Sequence, residues 1–251
     1  MNPVIDCLMN RKSIRKYKDG VPPDDLLEAV VRAGQQAPFA YQVYSVLLTR
    51  EREKIQFRAP WLFTICIDLH KFELIMAKRG WQTVQNDLSL LLLGLQDAAY
   101  MAENMVTAGE SLGLGSCYLG AAPYLALKIR EEYSLPDRVF PLVQLVMGYP
   151  DENPPVRPRY PLNFVLFEGK YPDITDAQLE EAMKTMDQGY LSQDYYQKIN
   201  YMIPVGKGMQ EKYTFDNYSW SEHISRKLGL WQSDLGEMLD KLEKCGFKVS
   251  R

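Results

Sequence analysis

The sequence has few of the residues that most often carry chemistry. It has two histidines, His70 and His223, and four cysteines, Cys7, Cys66, Cys117 and Cys245. Two histidines exclude a histidine-rich zinc site of the H-E-x-x-H kind and speak against a Ser-His-Asp hydrolase. No cysteine stands in a C-x-x-C pair, which excludes a zinc knuckle and a thioredoxin-type motif. Their scatter fits reduced thiols. Long apolar runs are also missing. The longest uncharged stretches, Ala33–Thr49 and Ser111–Leu127, are broken by glycine and proline, and neither reads as a spanning helix of about 20 residues. The opening residues, Met-Asn-Pro-Val-Ile-Asp, show no basic stretch followed by an apolar one, so no signal peptide is read there. A basic surplus is absent too: the formal net charge is -3, the wrong sign for a chain that coats nucleic acid. The expectation is a soluble cytoplasmic protein with neither nucleic acid nor membrane as partner.

What is present is an ordinary globular composition. At 251 residues and 46% hydrophobic content the chain can bury a sizeable core. A short helix is predicted over Pro3–Met9. Asp24, after Pro22-Pro23, is the expected N-cap of a helix ending near Gly34. Tyr44–Thr49 and Trp61–Asp68 read as strands, the second apolar on both faces. A long helix, roughly Leu88 to Leu112, is apolar around much of its circumference, as suits the middle of a fold or a subunit interface. Gly113 is a suitable stop. Ser116–Leu119 and Val139–Tyr149 read as further strands. Between them, Pro123 is placed as the opener of a helix through Tyr133. Residues 1–170 read as an α+β core. Residues 171–251 read as a helical extension, ending in a helix near Ser233–Lys244, with too few apolar residues to fold alone.

Three constellations could carry chemistry. In the first, Arg11-Lys12-Ser13-Ile14-Arg15-Lys16 heads a segment with five cations (Arg11, Lys12, Arg15, Lys16, Lys18) against two anions (Asp6, Asp19) on an acidic chain. Arginine forks and a serine hydroxyl suit a bound anion, whereas charge alone favours a solvated turn after a helix end. In the second, Val156-Arg157-Pro158-Arg159 fixes two guanidinium groups in a proline-stiffened loop. It either closes on the same anion or is an exposed loop with incidental arginines. The third run, Leu112 to Ala121, has glycines at 113, 115 and 120. The spacing is not G-x-G-x-x-G and the run follows a helix, so a Rossmann site is rejected. Gly120 either lets backbone N–H groups approach a flat ligand or serves plain turn chemistry. Cys117 reads as a small buried hydrophobe, and His223 as a surface residue of a polar helix.

In this order the constellations resemble the FMN-dependent nitroreductase superfamily, in the branch of oxygen-insensitive nitroreductases and NADPH:flavin oxidoreductases. RKSIRKYKDG is similar to that branch's arginine-serine-isoleucine-arginine phosphate motif. AENMVTAGESLGLGSCYLGA is similar to its long core helix and flavin-edge strand. LVMGYPDENPPVRPRYPL is similar to its strand end and basic-proline-arginine loop. WSEHISRKL and the terminal KCGF resemble its last two helices.

The resemblance implies an α+β fold with a central mixed β-sheet flanked by helices. It also implies a homodimer with two FMN sites at the subunit interface, the helical extension packing on the core and the partner subunit. Arg11, Lys12, Ser13 and Arg15 would hold the FMN phosphate, ribityl chain and pyrimidine edge, with Arg157 and Arg159 completing the phosphate site. Leu119, Gly120 and Ala121 would place backbone groups near flavin N5 and O4, and Pro38, Phe39 and Gln42 would lie beside the ring. NAD(P)H would be the electron donor, and nitroaromatics, quinones or similar small molecules the acceptors, by ping-pong hydride transfer. Flavin would carry the chemistry with no catalytic side chain and no metal, Arg15 giving electrostatic support. Free FMN as acceptor and a non-catalytic flavin store or sensor are the alternatives. Arg157 stands where the branch usually has lysine and Ala121 where it has glycine. The segment between Thr49 and Ala59 is shortened, and Tyr190–Tyr218 is long and poor in arginine, which leaves NADPH against NADH open.

Overall fold

The computed structural model describes residues 2–230 and 235–249. The chain divides into two compact units, Met1–Pro154 with Asp234–Arg251, and Pro155–Ser233. Each is described by itself.

The first unit opens with α1 (Pro3–Asn10), whose N-cap Asn2 accepts the Val4 N–H at 2.9 Å while Pro3 fills the first helical position. Then come α2 (Asp24–Gln35), β1 (Tyr44–Thr49), β2 (Trp61–Asp68) and α3 (His70–Lys78). The 25-residue helix α4 (Asp87–Ser111) follows, and β3 (Gly115–Leu119), α5 (Ala126–Glu132) and β4 (Val139–Gly148) complete the core. Two expectations are corrected here. Pro23, not Asp24, is the N-cap of α2, and Asp24 is its first residue. Pro123 lies in a 3-10 turn, Ala122–Leu125, that precedes α5. α3 was not foreseen.

The strand order is β1-β2-β4-β3, and every pair is antiparallel. The expected mixed sheet is corrected accordingly. Its parallel element is a single bridge, Ser13 to Ser116, because the basic segment meets the β3 edge as a stub rather than a strand. All eight residues of β2 are buried, since both faces of the sheet are covered. On one face Trp61, Phe63, Leu145 and Met147 pack with Met101 and Met105 of α4. On the other, Leu62, Cys117 and Val146 meet Ile14 and Tyr17. Gly34 lets α2 close on α4: a Cβ there would lie 2.7 Å from Met105 Cγ. Burial pushes the Cys66 thiol, with help from Asp68, up to about 12, so it stays protonated. Among the described residues no helix is long and apolar enough to cross a membrane.

The sequence-predicted last helix is described as α9, Leu235–Lys244 once α6 to α8 of the second unit are counted; Ser233 and Asp234 lie outside the described residues. Gly246 (φ 86°) ends it, and the tail is clamped by Arg138. The Arg138 guanidinium donates to both oxygens of Asp87 (2.7 Å each), to Glu73 at 2.6 Å and to Gly246 O at 3.0 Å. Lys248 N–H also donates to Asp87. Burial works against the Asp87 charge, but the Arg138 fork and the Lys248 N–H outweigh it and hold the carboxyl below its ordinary 3.8. A depressed carboxyl pKa adds stability that is complete above the unfolded value and lost as pH falls through the folded one. The melting-temperature gap between the wild type and Asp87→Asn is therefore expected to be full at about pH 6 and to shrink as the pH is taken below about 4. A gap unchanged by acid would remove Asp87 from the clamp.

The second unit holds α6 (Asp176–Leu191), α7 (Tyr195–Lys198) and α8 (Trp220–Leu230). α6 starts with a capping box between Thr175 and Gln178. The sequence-based boundary near residue 170 falls inside this unit. Rings join Ala182, Met186 and Ile203 in its core. Tyr196 and Tyr218 are buried and meet edge to face at 5.1 Å. His223 is half-buried rather than fully at the surface: its ring stacks on Tyr196 at 4.8 Å and its Nδ1 is bonded to the Tyr218 hydroxyl at 3.1 Å. The polar helical pattern hid this because its neighbours on the aromatic side are tyrosines.

Candidate active site

The basic segment after α1 runs extended between the start of β3 and the end of β4. Ile14 N–H donates to Ser116 O at 2.8 Å, and Lys18 N–H to Tyr149 O at 3.0 Å. Ile14 and Tyr17 turn into the core, while Arg15 and Lys16 stay exposed. Two glycines, Gly115 and Gly148, are cross-strand partners and make the seat. A Cβ on Gly115 would sit 2.5 Å from Ile14 Cγ1, and one on Gly148 would overlap the Pro60 ring and come within 3.2 Å of Tyr17. The third constellation therefore has a purpose its spacing did not reveal: Gly115 admits the first constellation to the sheet.

Residues that sequence reasoning missed tie the segment down. Glu152 accepts the Arg15 N–H and, at 3.1 Å, the Lys16 N–H. Lys12 donates to Asn153, and Lys16 pairs with Asp151 at 3.2 Å. Glu110 of α4 lies near enough to the segment to feel the charges of Arg11 and Lys12. Burial pushes its carboxyl up and Glu103 adds to that, while Arg11 and Lys12 pull it down. One Glu110 oxygen is buried without a partner. Acid and amide residues beyond the strand end were the only sequence signal for this group.

The guanidinium groups of Arg11 and Arg15 and the Ser13 hydroxyl form no hydrogen bond or ion pair among the described residues. They are partly to fully exposed, so this donor set is open to an anion. At the far end of β3, about 10 Å along the strand from Ser116, Leu119 leads into Gly120 and Ala121. A Cβ on Gly120 would meet nothing within 4 Å, and neither the Gly120 nor the Ala121 N–H makes a backbone hydrogen bond among the described residues. Cations at one end and free N–H groups on an open backbone at the other fit a ligand with a phosphate and a flat polar edge.

Pro38, Phe39 and Gln42 lie in the exposed loop between α2 and β1, and the structure does not bring them to the basic segment. Their loop is tied to α4 at Asp97, which accepts N–H groups of Ala40, Tyr41 and Val43. The basic segment lies by the same helix at Glu110, thirteen residues on, or about 20 Å at 1.5 Å per residue.

Arg157 and Arg159 belong to the second unit. The Arg157 guanidinium lies over the Tyr195 ring at 4.0 Å and donates to Gln193 at 2.6 Å. Arg159 donates to the carbonyls of Arg157 and Pro158, at 3.0 Å each. Gly189 leaves the space that Pro158 fills. The loop is thus braced, its two guanidinium groups set by aromatic stacking and backbone carbonyls rather than by acids.

The chain is similar in sequence and fold to known proteins. A family model described as "Nitroreductase family" matches residues 8–51 and 45–149. The chain is 30% identical over 243 residues to a protein of Vibrio harveyi named NADPH-flavin oxidoreductase, covering 91% of this chain and 92% of that one. Its fold matches the structure of B. megaterium NfrA2 with a TM-score of 0.84 at 24% identity, over 100% of both chains. It also matches the V. harveyi NADPH:FMN oxidoreductase complexed with NAD+, with a TM-score of 0.79 at 25% identity, over 98% of this chain and 99% of that one.

Proposed function

The chain belongs to the nitroreductase family, and on that premise we propose that it is an FMN-dependent NAD(P)H oxidoreductase serving nitroaromatic, quinone or similar acceptors. The observation that carries this reading is the open donor set at Arg11, Ser13 and Arg15, built on the Gly115 seat. FMN, when bound, supplies hydride acceptance from NAD(P)H and hydride delivery to an acceptor in a second half-reaction. Arg11, Lys12 and Ser13 would hold the phosphate and ribityl chain. Gly120 and Ala121 offer N–H groups to the ring edge beside Leu119. Arg15 offers positive charge to the pyrimidine edge, where it offsets negative charge gained on reduction. No side-chain acid or base is assigned, and water can supply protons.

A homodimer is part of this reading. Val4, Leu8 and Met9 of α1 and Leu88, Leu92, Leu95 and Tyr100 of α4 are exposed, apolar side chains that a second copy would cover. The separation of about 20 Å along α4 supports a site in which Pro38, Phe39 and Gln42 serve the flavin of the other copy.

The relatives' names make free FMN the second candidate acceptor. The donor preference turns on the second unit. Arg226 lies on α8, just past the arginine-poor stretch. It is 6% exposed and bonded to Glu211, Glu222 and Ile203 O, so it is not open to a 2′-phosphate. That ion pair holds Glu211 down at about 2.

The test is an absorbance spectrum of the purified protein, then anaerobic NADPH or NADH, then a quinone. A flavin spectrum that bleaches and recovers is the expected result, and the two bleaching rates rank the donors. A flavin spectrum that neither donor bleaches would make the protein a store or sensor. A colourless protein that ignores added FMN would end the flavin reading. Turnover with free FMN, a quinone and a nitroarene separates the acceptors.

A further inference from the structure

Gln42 has φ 58°, a left-handed conformation that a side chain with a Cβ adopts only when its surroundings impose it. The surroundings are specific. Asp97, 1% exposed and midway along α4, accepts the Ala40 N–H on Oδ1 at 2.6 Å, and the Tyr41 and Val43 N–H groups on Oδ2 at 3.0 Å each. One oxygen, Oδ2, thus accepts the N–H groups on both sides of Gln42, and the other holds Ala40. The carboxylate pins the backbone before and after Gln42, and the left-handed residue is held between those two points. Tyr41 and Val43, on either side, line a cavity of about 330 Å³ with Leu69, Phe72, Met76 and Leu90. The loop is thus gripped on its inner side; of residues 40–43 only Gln42 donates no N–H to Asp97, and its side chain is exposed, as are those of Ala40 and Tyr41.

We propose that Asp97 is a positioning residue: its carboxylate fixes Gln42 in the left-handed conformation that presents the Gln42 amide to the flavin ring. The inference rests on the flavin reading above and adds the buried group that sets the geometry. Asp97 touches neither flavin nor substrate and acts only through the 40–43 backbone.

The test is a double-mutant cycle on the full-length protein with FMN as the probe: wild type, Asp97→Asn, Gln42→Gly and the double variant. Asparagine replaces one accepting oxygen by an NH2 group that faces N–H donors, so at least one of the three bonds is lost. In the apoprotein, amide exchange at Ala40, Tyr41 and Val43 is expected to speed up by about tenfold or more, and FMN affinity to fall by about tenfold, the usual scale for hydrogen bonds to a charged group. In the Gln42→Gly background, which has lost the amide and takes positive φ freely, Asp97→Asn is expected to change FMN affinity by less than about twofold, a coupling that marks action through residue 42. Equal effects in the two backgrounds would overturn the proposal and leave Asp97 a structural anchor. A shift in the visible circular dichroism of bound FMN on Asp97→Asn supports it, and an unchanged spectrum opposes it. If the wild type binds no FMN, the flavin reading fails and this role with it. If the wild type binds FMN and the coupling is absent, only this inference fails. Where Asp97→Asn does not fold, Asp97→Ser keeps one accepting oxygen without an opposing NH2 and serves the same cycle.

Discussion

Replacing Arg11 and Arg15 together with alanine is expected to weaken FMN binding by about 100-fold or more, while the apoprotein melts within about 2 °C of the wild type. The two halves of this expectation have one cause. Among the described residues neither guanidinium makes a hydrogen bond or an ion pair, so removing it breaks no such contact, and surface substitutions of that kind usually change stability by less than about 0.5 kcal/mol. Both are instead open to a ligand, and a hydrogen bond to a charged group is worth roughly 1.5–3 kcal/mol, or about tenfold or more each. Lys12 is the internal contrast. Its ammonium is already tied to Asn153, so Lys12→Ala is expected to cost less affinity than either arginine. Titration of the apoprotein with FMN, read by flavin fluorescence beside a thermal melt, measures both quantities. Unchanged affinity in the double variant would remove the phosphate assignment. A large fall in melting temperature would show the arginines to be structural.

Legibility in the sequence followed the range of the interactions. β1 and β2 were read with their observed ends, because each is an apolar run between breakers. α4 was read to within a residue at each end, since its stop is local: Gly113 takes φ 78°. The basic segment was legible as composition, because cations at short spacing on an acidic chain stand out. Its seat was not. Gly115 reads as turn chemistry until the strand is built and Ile14 is found against it. Asp97 sits in an apolar helix as one acid among many, and its role lies in N–H groups more than fifty residues away. Glu152 is hidden for the same reason, 137 residues from Arg15. Strand direction is not legible in the sequence, because burial on both faces of β2 is compatible with either direction; the expectation of a mixed sheet came from the resemblance alone. Pro123 fixes one φ and leaves the choice between a 3-10 turn and an α-helix to packing.

Arg138→Ala is expected to lower stability by about 3–5 kcal/mol, the range for removing one partner of a buried ion pair, and so to lower the melting temperature by roughly 10 °C in a chain of this size. Arg138 and Asp87 have side chains only 12% and 10% exposed. Without the guanidinium, Asp87 would keep the Lys248 N–H but would carry its charge largely out of water. The same change removes a donor from Gly246 O and the cation that lies 4.9 Å over the Phe247 ring, so the clamp on the tail after α9 goes with it. Two controls separate charge from packing. Asp87→Asn added to Arg138→Ala is expected to recover part of the loss, because an uncompensated buried charge is the costly species and not the missing bond alone. Arg138→Lys is expected to recover little, since an ammonium cannot fork onto both Asp87 oxygens while reaching Glu73 and Gly246. Urea unfolding of the four variants measures the set. A loss below about 1 kcal/mol in Arg138→Ala, additive with Asp87→Asn, would place the pair among solvent-screened surface bridges and leave the tail held by the burial of Cys245 and Phe247.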